Sequence, residues 1–143
     1  MKLFYGFEVH GLENIPPDNR YIICANHSSN ADPLLLIMTF KKKIFFMAKQ
    51  ELFKNKLFGW FLKKVGVFPV HRGSKDTNAL DIYHEVLENN KPLGMFIEGT
   101  RSKNGEFLKP KAGAVLISYD AKATILPVCI TNKNKGPVKI FNK

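Results

Sequence analysis

The sequence predicts an α/β fold built on a mixed, largely parallel sheet flanked by helices, and three observations carry that expectation. Apolar runs of strand length, at residues 21–25, 44–48, 93–97 and 125–130, are rich in β-branched and aromatic residues and suit strands buried on both faces. Between them lie segments with apolar residues at helical spacing, at 33–40, 49–64, 76–90 and 114–121, which supply the covering layers. Two polar clusters, 26–32 and 98–102, directly follow strand runs, and open α/β sheets bind their ligands at the carboxyl ends of strands.

Size and composition narrow the classes. A chain of 143 residues with 45% hydrophobic content is large enough for one domain, residues 1–143, with a real core, which excludes wholesale disorder. The 22 Lys and Arg against 12 Asp and Glu give a formal charge of +10, so an anionic partner is expected: nucleic acid, an acidic lipid surface or a phosphorylated small molecule. No apolar run approaches the roughly 18 to 20 residues that span a bilayer, and the opening residues 1–7 are too short for a signal peptide. Cys24 and Cys129 both fall in apolar strand runs, which points to reduced core thiols in a cytosolic setting rather than a disulfide or metal ligands.

In order, residues 7–10 form a short strand that stops at the Pro16-Pro17 turn, with His10 on its surface. The 21–25 run is a buried strand, and the polar residues 26–30 cannot continue it. Asp32 directly before Pro33 reads as a helix N-cap with proline at the first helical position, opening a helix at 33–40. One strand end and one helix start then hold the His27 imidazole and the Asp32 carboxylate near each other. That is what a general base needs, since a carboxylate on one ring nitrogen sets the tautomer and stabilises the imidazolium. The spacing alone suits a mere cap and a loop histidine equally well.

Lys41, Lys42 and Lys43 close that helix, and 44–48 is the next buried strand. Residues 49–64 place Leu52, Phe53, Leu57, Trp60 and Phe61 within helical reach of one another, with lysines on the remaining face. Two readings fit. One is a helix or helix pair packed on the sheet with a solvated lysine face. The other is an interfacial element whose aromatic and leucine side chains enter a headgroup region while the lysines meet anionic lipid. Both can hold, on different faces.

Residues 66–73 form a short strand ending in a basic turn. Arg72 is there either to grip a phosphate bidentately or as a solvated turn residue. The helix at 76–90 carries Leu80, Tyr83, Val86 and Leu87 on one stripe, and the strand at 93–97 delivers Glu98, Gly99, Thr100, Arg101 and Ser102. These are a carboxylate, a flexible glycine, two hydroxyls and a guanidinium at a strand end. Asn104 and Gly105 make a turn, and Lys111 precedes the helix at 114–121 as a candidate anion contact. The run at 125–130 is a core strand, and 138–141 begins another.

Taken together, His27 to Asp32, Gly66 to Arg72, Phe96 to Ser102 and Ile125 to Ile130 resemble, in order and spacing, the four motifs of the glycerolipid acyltransferases. The likeness is nearest to the bacterial 1-acylglycerol-3-phosphate (lysophosphatidic acid) acyltransferases and runs from about residue 9 to residue 130. Two positions depart from the pattern. Ile97 stands where the third motif usually has proline, a change expected to lengthen the strand, and Pro69-Val70 stand where Phe-Ile is common. The family's apolar N-terminal helical region and the residues after its fourth motif are absent or cut short, so the expectation is an acyltransferase domain truncated at its C-terminus.

The resemblance implies a glycerol-3-phosphate acyltransferase-like fold. It also implies acyl transfer from acyl-CoA or acyl carrier protein to a hydroxyl of a glycerol phosphate, foremost 1-acylglycerol 3-phosphate, giving phosphatidic acid. His27 would be the base and Asp32 its orienting partner. Arg72 and Arg101, assisted by Thr100 and Lys111, would hold the phosphate. Glu98 and Gly99 would shape the site, Asn26 would support the histidine loop, and Pro127 would line the acyl groove or serve the structure. Transfer would be direct, because a thiol with a pKa of about 8.5 departs readily as thiolate. No metal is implied, the acidic and His residues lacking ligand spacing, and no cofactor beyond the thioester co-substrate. The protein would sit peripherally, as a monotopic protein, on the anionic cytoplasmic face of a membrane. The alternatives are a non-catalytic membrane or phospholipid-binding module, supported by the basic aromatic segment, and a nucleic-acid binder, which rests on charge alone and has no helix-turn-helix, RNA-binding aromatic signature or zinc pattern behind it.

Overall fold

The computed structural model describes residues 8–40, 42–70, 77–104, 106–131 and 138–140. The strands are β1 (Val9–His10), β2 (Tyr21–Ala25), β3 (Phe45–Lys49), β4 (Val67–Val70), β5 (Leu93–Phe96), β6 (Thr124–Cys129) and β7 (Val138–Ile140). The helices are α1 (Asp32–Thr39), α2 (Lys56–Lys64), α3 (Thr77–Glu88) and α4 (Gly113–Ala121). Among the described residues the strands form one sheet in the order β1-β7-β6-β2-β5-β3-β4. Strands β6, β2, β5, β3 and β4 run parallel to one another. β7 pairs antiparallel with β6 and parallel with β1, so the sheet is mixed at one edge and parallel elsewhere, as the sequence predicts.

β2 is the axis of the sheet. Every residue in it is buried, and it pairs with β5 on one side and β6 on the other. A parallel strand needs helices on both faces, and alternate side chains of β2 enter two separate cores. Tyr21, Ile23 and Ala25 pack with Leu36 and Phe40 from α1 and its end, with Leu62 of α2 and Val65 just past its end against them. Ile22 and Cys24 pack with Tyr83, Val86 and Leu87 of α3 and Ala114 and Ile117 of α4. Two strand-facing layers of this kind leave the carboxyl ends of β2 and β5 side by side at one rim.

Two local expectations change, and the 49–64 segment takes the paired form of the two expected for it. The strand predicted at 93–97 stops at Phe96, and Ile97 opens a turn instead of lengthening the strand. Its N–H still bonds the Ala25 carbonyl at 3.1 Å, but the next bond, from the Gly99 N–H to the Phe96 carbonyl at 3.0 Å, folds the chain back. Leu80, assigned to the buried stripe of α3, is exposed, while Tyr83, Val86 and Leu87 are buried. The 49–64 segment divides into a short 3-10 turn, Gln50–Phe53, and α2, because the Asn55 side chain accepts the Leu57 and Phe58 N–H groups, each at 3.1 Å, and starts a new helix. Phe53 then turns into the core, while Leu57, Phe58, Trp60 and Phe61 stay outside, Leu57 at 78% and Trp60 at 58% exposure.

Candidate active site

The site is built where β2 ends. Asn26 is fastened first: its side-chain N–H donates to the Ile130 carbonyl at 2.9 Å, and the Ile130 N–H donates to its side-chain oxygen at 2.7 Å. The amide thus acts as one more peptide unit in the ladder between β2 and β6. The Ser102 N–H donates to the His27 carbonyl at 2.8 Å, which ties the same loop to the turn beyond β5. His27 is held between two strand ends before its side chain makes any contact.

Its side chain meets Asp32. The His27 Nδ1 to Asp32 Oδ2 distance is 2.9 Å, and the same oxygen accepts the Ser28 and Ser29 N–H groups at 2.7 Å each. The Asp32 side chain is 1% exposed and that of His27 is 17% exposed. A buried carboxylate is tolerable because donors surround it. Since it can only accept, Nδ1 carries the proton and Nε2 is left with its lone pair, the form in which an imidazole takes a proton. The N-cap reading of Asp32 is therefore corrected. The residue at the capping position of α1 is Ala31, without a side-chain cap bond, and Pro33 still occupies the first turn. The Asp32 carboxylate turns back to the loop, where two converging amides and the imidazole offer more than a single helix amide would.

A flat aromatic surface supports the ring. Phe96 stacks on His27 with centroids 4.0 Å apart and an interplanar angle of 19°, and Phe46 lies beyond Phe96 at 6.0 Å and 20°. The sequence offers Phe96 only as the first residue of a motif. An aromatic residue at the end of the strand neighbouring the His-bearing one was the available signal.

The turn after β5 supplies the polar groups. Gly99 has φ +69, and a Cβ there would lie 2.9 Å from the Lys111 Nζ, so glycine serves both the turn and the passage of the lysine. The Lys111 N–H also bonds the Ile97 carbonyl at 2.8 Å. Thr100 and Arg101 are exposed on this turn. Glu98 is buried, and its Oε2 lacks a hydrogen-bond partner among the described residues. His27, Asp32, Asn26 and the turn bearing Glu98, Gly99, Thr100 and Arg101, with Lys111, thus share one rim. Pro127 does not sit on it: it is exposed and in register with Cys24, short of the strand ends. Arg72 lies outside the described residues.

Cys24 is no nucleophile here, since burial pushes its thiol up to about 11. No three His, Cys, Asp or Glu side chains converge to hold a metal ion among the described residues, and no helix among them is long and apolar enough to cross a membrane.

Residues 6–131 match the family described as Acyltransferase. The chain is 34% identical over 139 residues to the 1-acyl-sn-glycerol-3-phosphate acyltransferase of Bacillus subtilis, covering 96% of this chain and 68% of that protein. It is 38% identical over 134 residues to the protein of the same name from Streptococcus pneumoniae, covering 92% and 48%. Among solved structures it is similar to the 1-acyl-sn-glycerophosphate acyltransferase PlsC of Thermotoga maritima, with a TM-score of 0.76 and 31% identity over 94% of this chain and 59% of that one. The chain spans between about half and two thirds of the length of these relatives.

Proposed function

The chain belongs to the acyltransferase family, and from that premise we propose that it transfers a fatty acyl group from an acyl thioester to the free hydroxyl of 1-acylglycerol 3-phosphate, yielding phosphatidic acid. The observation that carries this reading is the His27–Asp32 pair, with Nδ1 committed to the carboxylate at 2.9 Å and Nε2 left to act on substrate. The names of the relatives supply the acceptor and the reaction.

The acceptor hydroxyl gives its proton to Nε2 of His27 as its oxygen bonds to the thioester carbonyl carbon. Asp32 stabilises the imidazolium that results. The tetrahedral adduct collapses with cleavage of the C–S bond, and the departing sulfur takes the proton from His27, restoring the base. Arg72 and Arg101 hold the acceptor phosphate, with Thr100 and Lys111 assisting. Glu98 and Gly99 shape the seat of the glycerol portion, while Pro127, off the rim, serves the structure. The donor is acyl-CoA or acyl carrier protein.

The protein works peripherally on an anionic membrane, at its cytoplasmic face. Support comes from α2, whose exposed Leu57, Phe58, Trp60 and Phe61 stand among Lys54, Lys56, Lys63 and Lys64 with no acidic residue in the helix. This surface also favours the second reading, a lipid-binding module without catalysis, but such a module has no use for an oriented imidazole. The deciding experiment is thiol release from long-chain acyl-CoA and from acyl carrier protein in lipid micelles, with and without lysophosphatidic acid. Acceptor-dependent release that falls by about 10² to 10⁴ in His27→Ala supports the enzyme. Lipid binding with no release from either donor supports the module.

A further inference from the structure

We propose that Phe96 is a positioning residue for His27: its ring face holds the imidazole in the plane that points Nε2 outward and favours the imidazolium formed during proton transfer. The proposal rests on the acyltransferase reading for its place in turnover, but the contact itself stands on geometry.

Asp32 restrains the imidazole at one edge only, through Nδ1, and a ring held at one edge can still rock about that bond. Phe96 lies flat against its face at 4.0 Å and 19°, which removes the rocking. An aromatic face is negative and its rim positive, so a ring in this position attracts an imidazolium more than a neutral imidazole. At 17% side-chain exposure His27 is only lightly solvated, and water screens the attraction little.

Phe96 is itself backed. Phe46 of β3 stacks behind it at 6.0 Å and 20°, is buried, and stands opposite Gly94 in register. A Cβ on Gly94 would fall 2.0 Å from Phe46 Cε1, so the missing side chain two residues before Phe96 is the seat of the ring that supports it. Gly94, Phe46, Phe96 and His27 form a continuous aromatic prop running from the inside of the sheet to the base. Among the described residues, the charged and titratable groups that share the rim with His27 are Asp32 from α1, which bonds its ring, and Glu98, Arg101 and Lys111 from the segment after β5. None of them is altered by a change confined to the ring of Phe96.

The test reads His27 by NMR titration of its imidazole, assigned with His27→Gln, in the wild-type chain and in chains carrying Phe96→Tyr, Phe96→Leu and pentafluorophenylalanine at position 96. The fluorinated ring keeps the shape and loses the negative face. It is expected to lower the His27 midpoint by about half a unit or more, while Phe96→Tyr stays within about 0.2 units of wild type. In turnover, the acid limb of kcat moves in the same direction by a factor of about 3, with the acceptor KM unchanged. Should the fluorinated chain not fold, Phe96→Leu takes its place with the same expectation. An unmoved midpoint in a folded fluorinated or Leu chain overturns the proposal. A shifted midpoint in a protein that releases no thiol from either donor sinks the acyltransferase reading and leaves the positioning contact standing.

Discussion

A single oxygen of Asp32 receives the imidazole Nδ1 of His27 and, through the Ser28 and Ser29 amides, the backbone of the loop that carries that histidine. One carboxylate therefore sets both the position and the tautomer of the base. Asp32→Asn keeps the shape but removes the charge: an amide oxygen kept facing the Ser28 and Ser29 N–H groups no longer stabilises the imidazolium, and an amide turned to present N–H to Nδ1 reverses the tautomer and gives up those two bonds. Acyl transfer is expected to fall by about 10³ to 10⁴, with lipid binding retained; thiol release and vesicle co-sedimentation on the same preparations check both.

The buried Cys24 thiol makes stability depend on alkaline pH. Its pKa rises from 9.0 to about 11 in the fold, so the unfolded chain loses this proton first as pH rises. Between pH 9 and about 11 the unfolded state binds fewer protons than the folded one, and stability falls with rising pH. Below 9 and above 11 the group contributes no slope. Urea denaturation of wild type and Cys24→Ala across this window is expected to show a part of the alkaline loss, about 2 to 3 kcal/mol, that disappears in the variant.

The outer face of α2 separates adhesion from chemistry. Replacing Leu57 and Trp60 by Glu removes two exposed apolar side chains and places two negative charges among the lysines. Affinity for anionic vesicles is expected to drop by about tenfold or more, while turnover on a short-chain, micelle-free acceptor stays within about twofold of wild type. Equal affinity in sedimentation would count against α2 as the lipid contact.

Part of the framework was legible because a parallel strand buried on both faces leaves a plain mark, an unbroken apolar run such as 21–25. The pairing of His27 with Asp32 was legible from the short loop between a strand end and a helix start. The direction of the Asp32 carboxylate was not, since cap and loop amides compete for the same acceptor and only the folded loop decides between them. Nor was the fate of Phe53, which shares helical spacing with Leu57 and Trp60 but is turned inward once Asn55 breaks the segment. Phe96 left only its place as an aromatic at the end of the strand beside the His-bearing one, because stacking across β5 and β2 leaves no periodic trace. Arg72 falls outside the described residues.

The paired bonds between Asn26 and Ile130 join positions 104 apart in the chain. They give the histidine loop a timetable. β2 is made early, but its neighbours β5 and β6 are made about 70 and 100 residues later, so the loop cannot be latched until synthesis has passed Ile130. Contacts so distant in sequence close slowly, and a nascent chain stopped before β6 carries His27 and Asp32 without the brace that aligns them. Competence of the base thus reports that β6 has joined the sheet, and a chain stopped before it has no ordered means of acting on lipid.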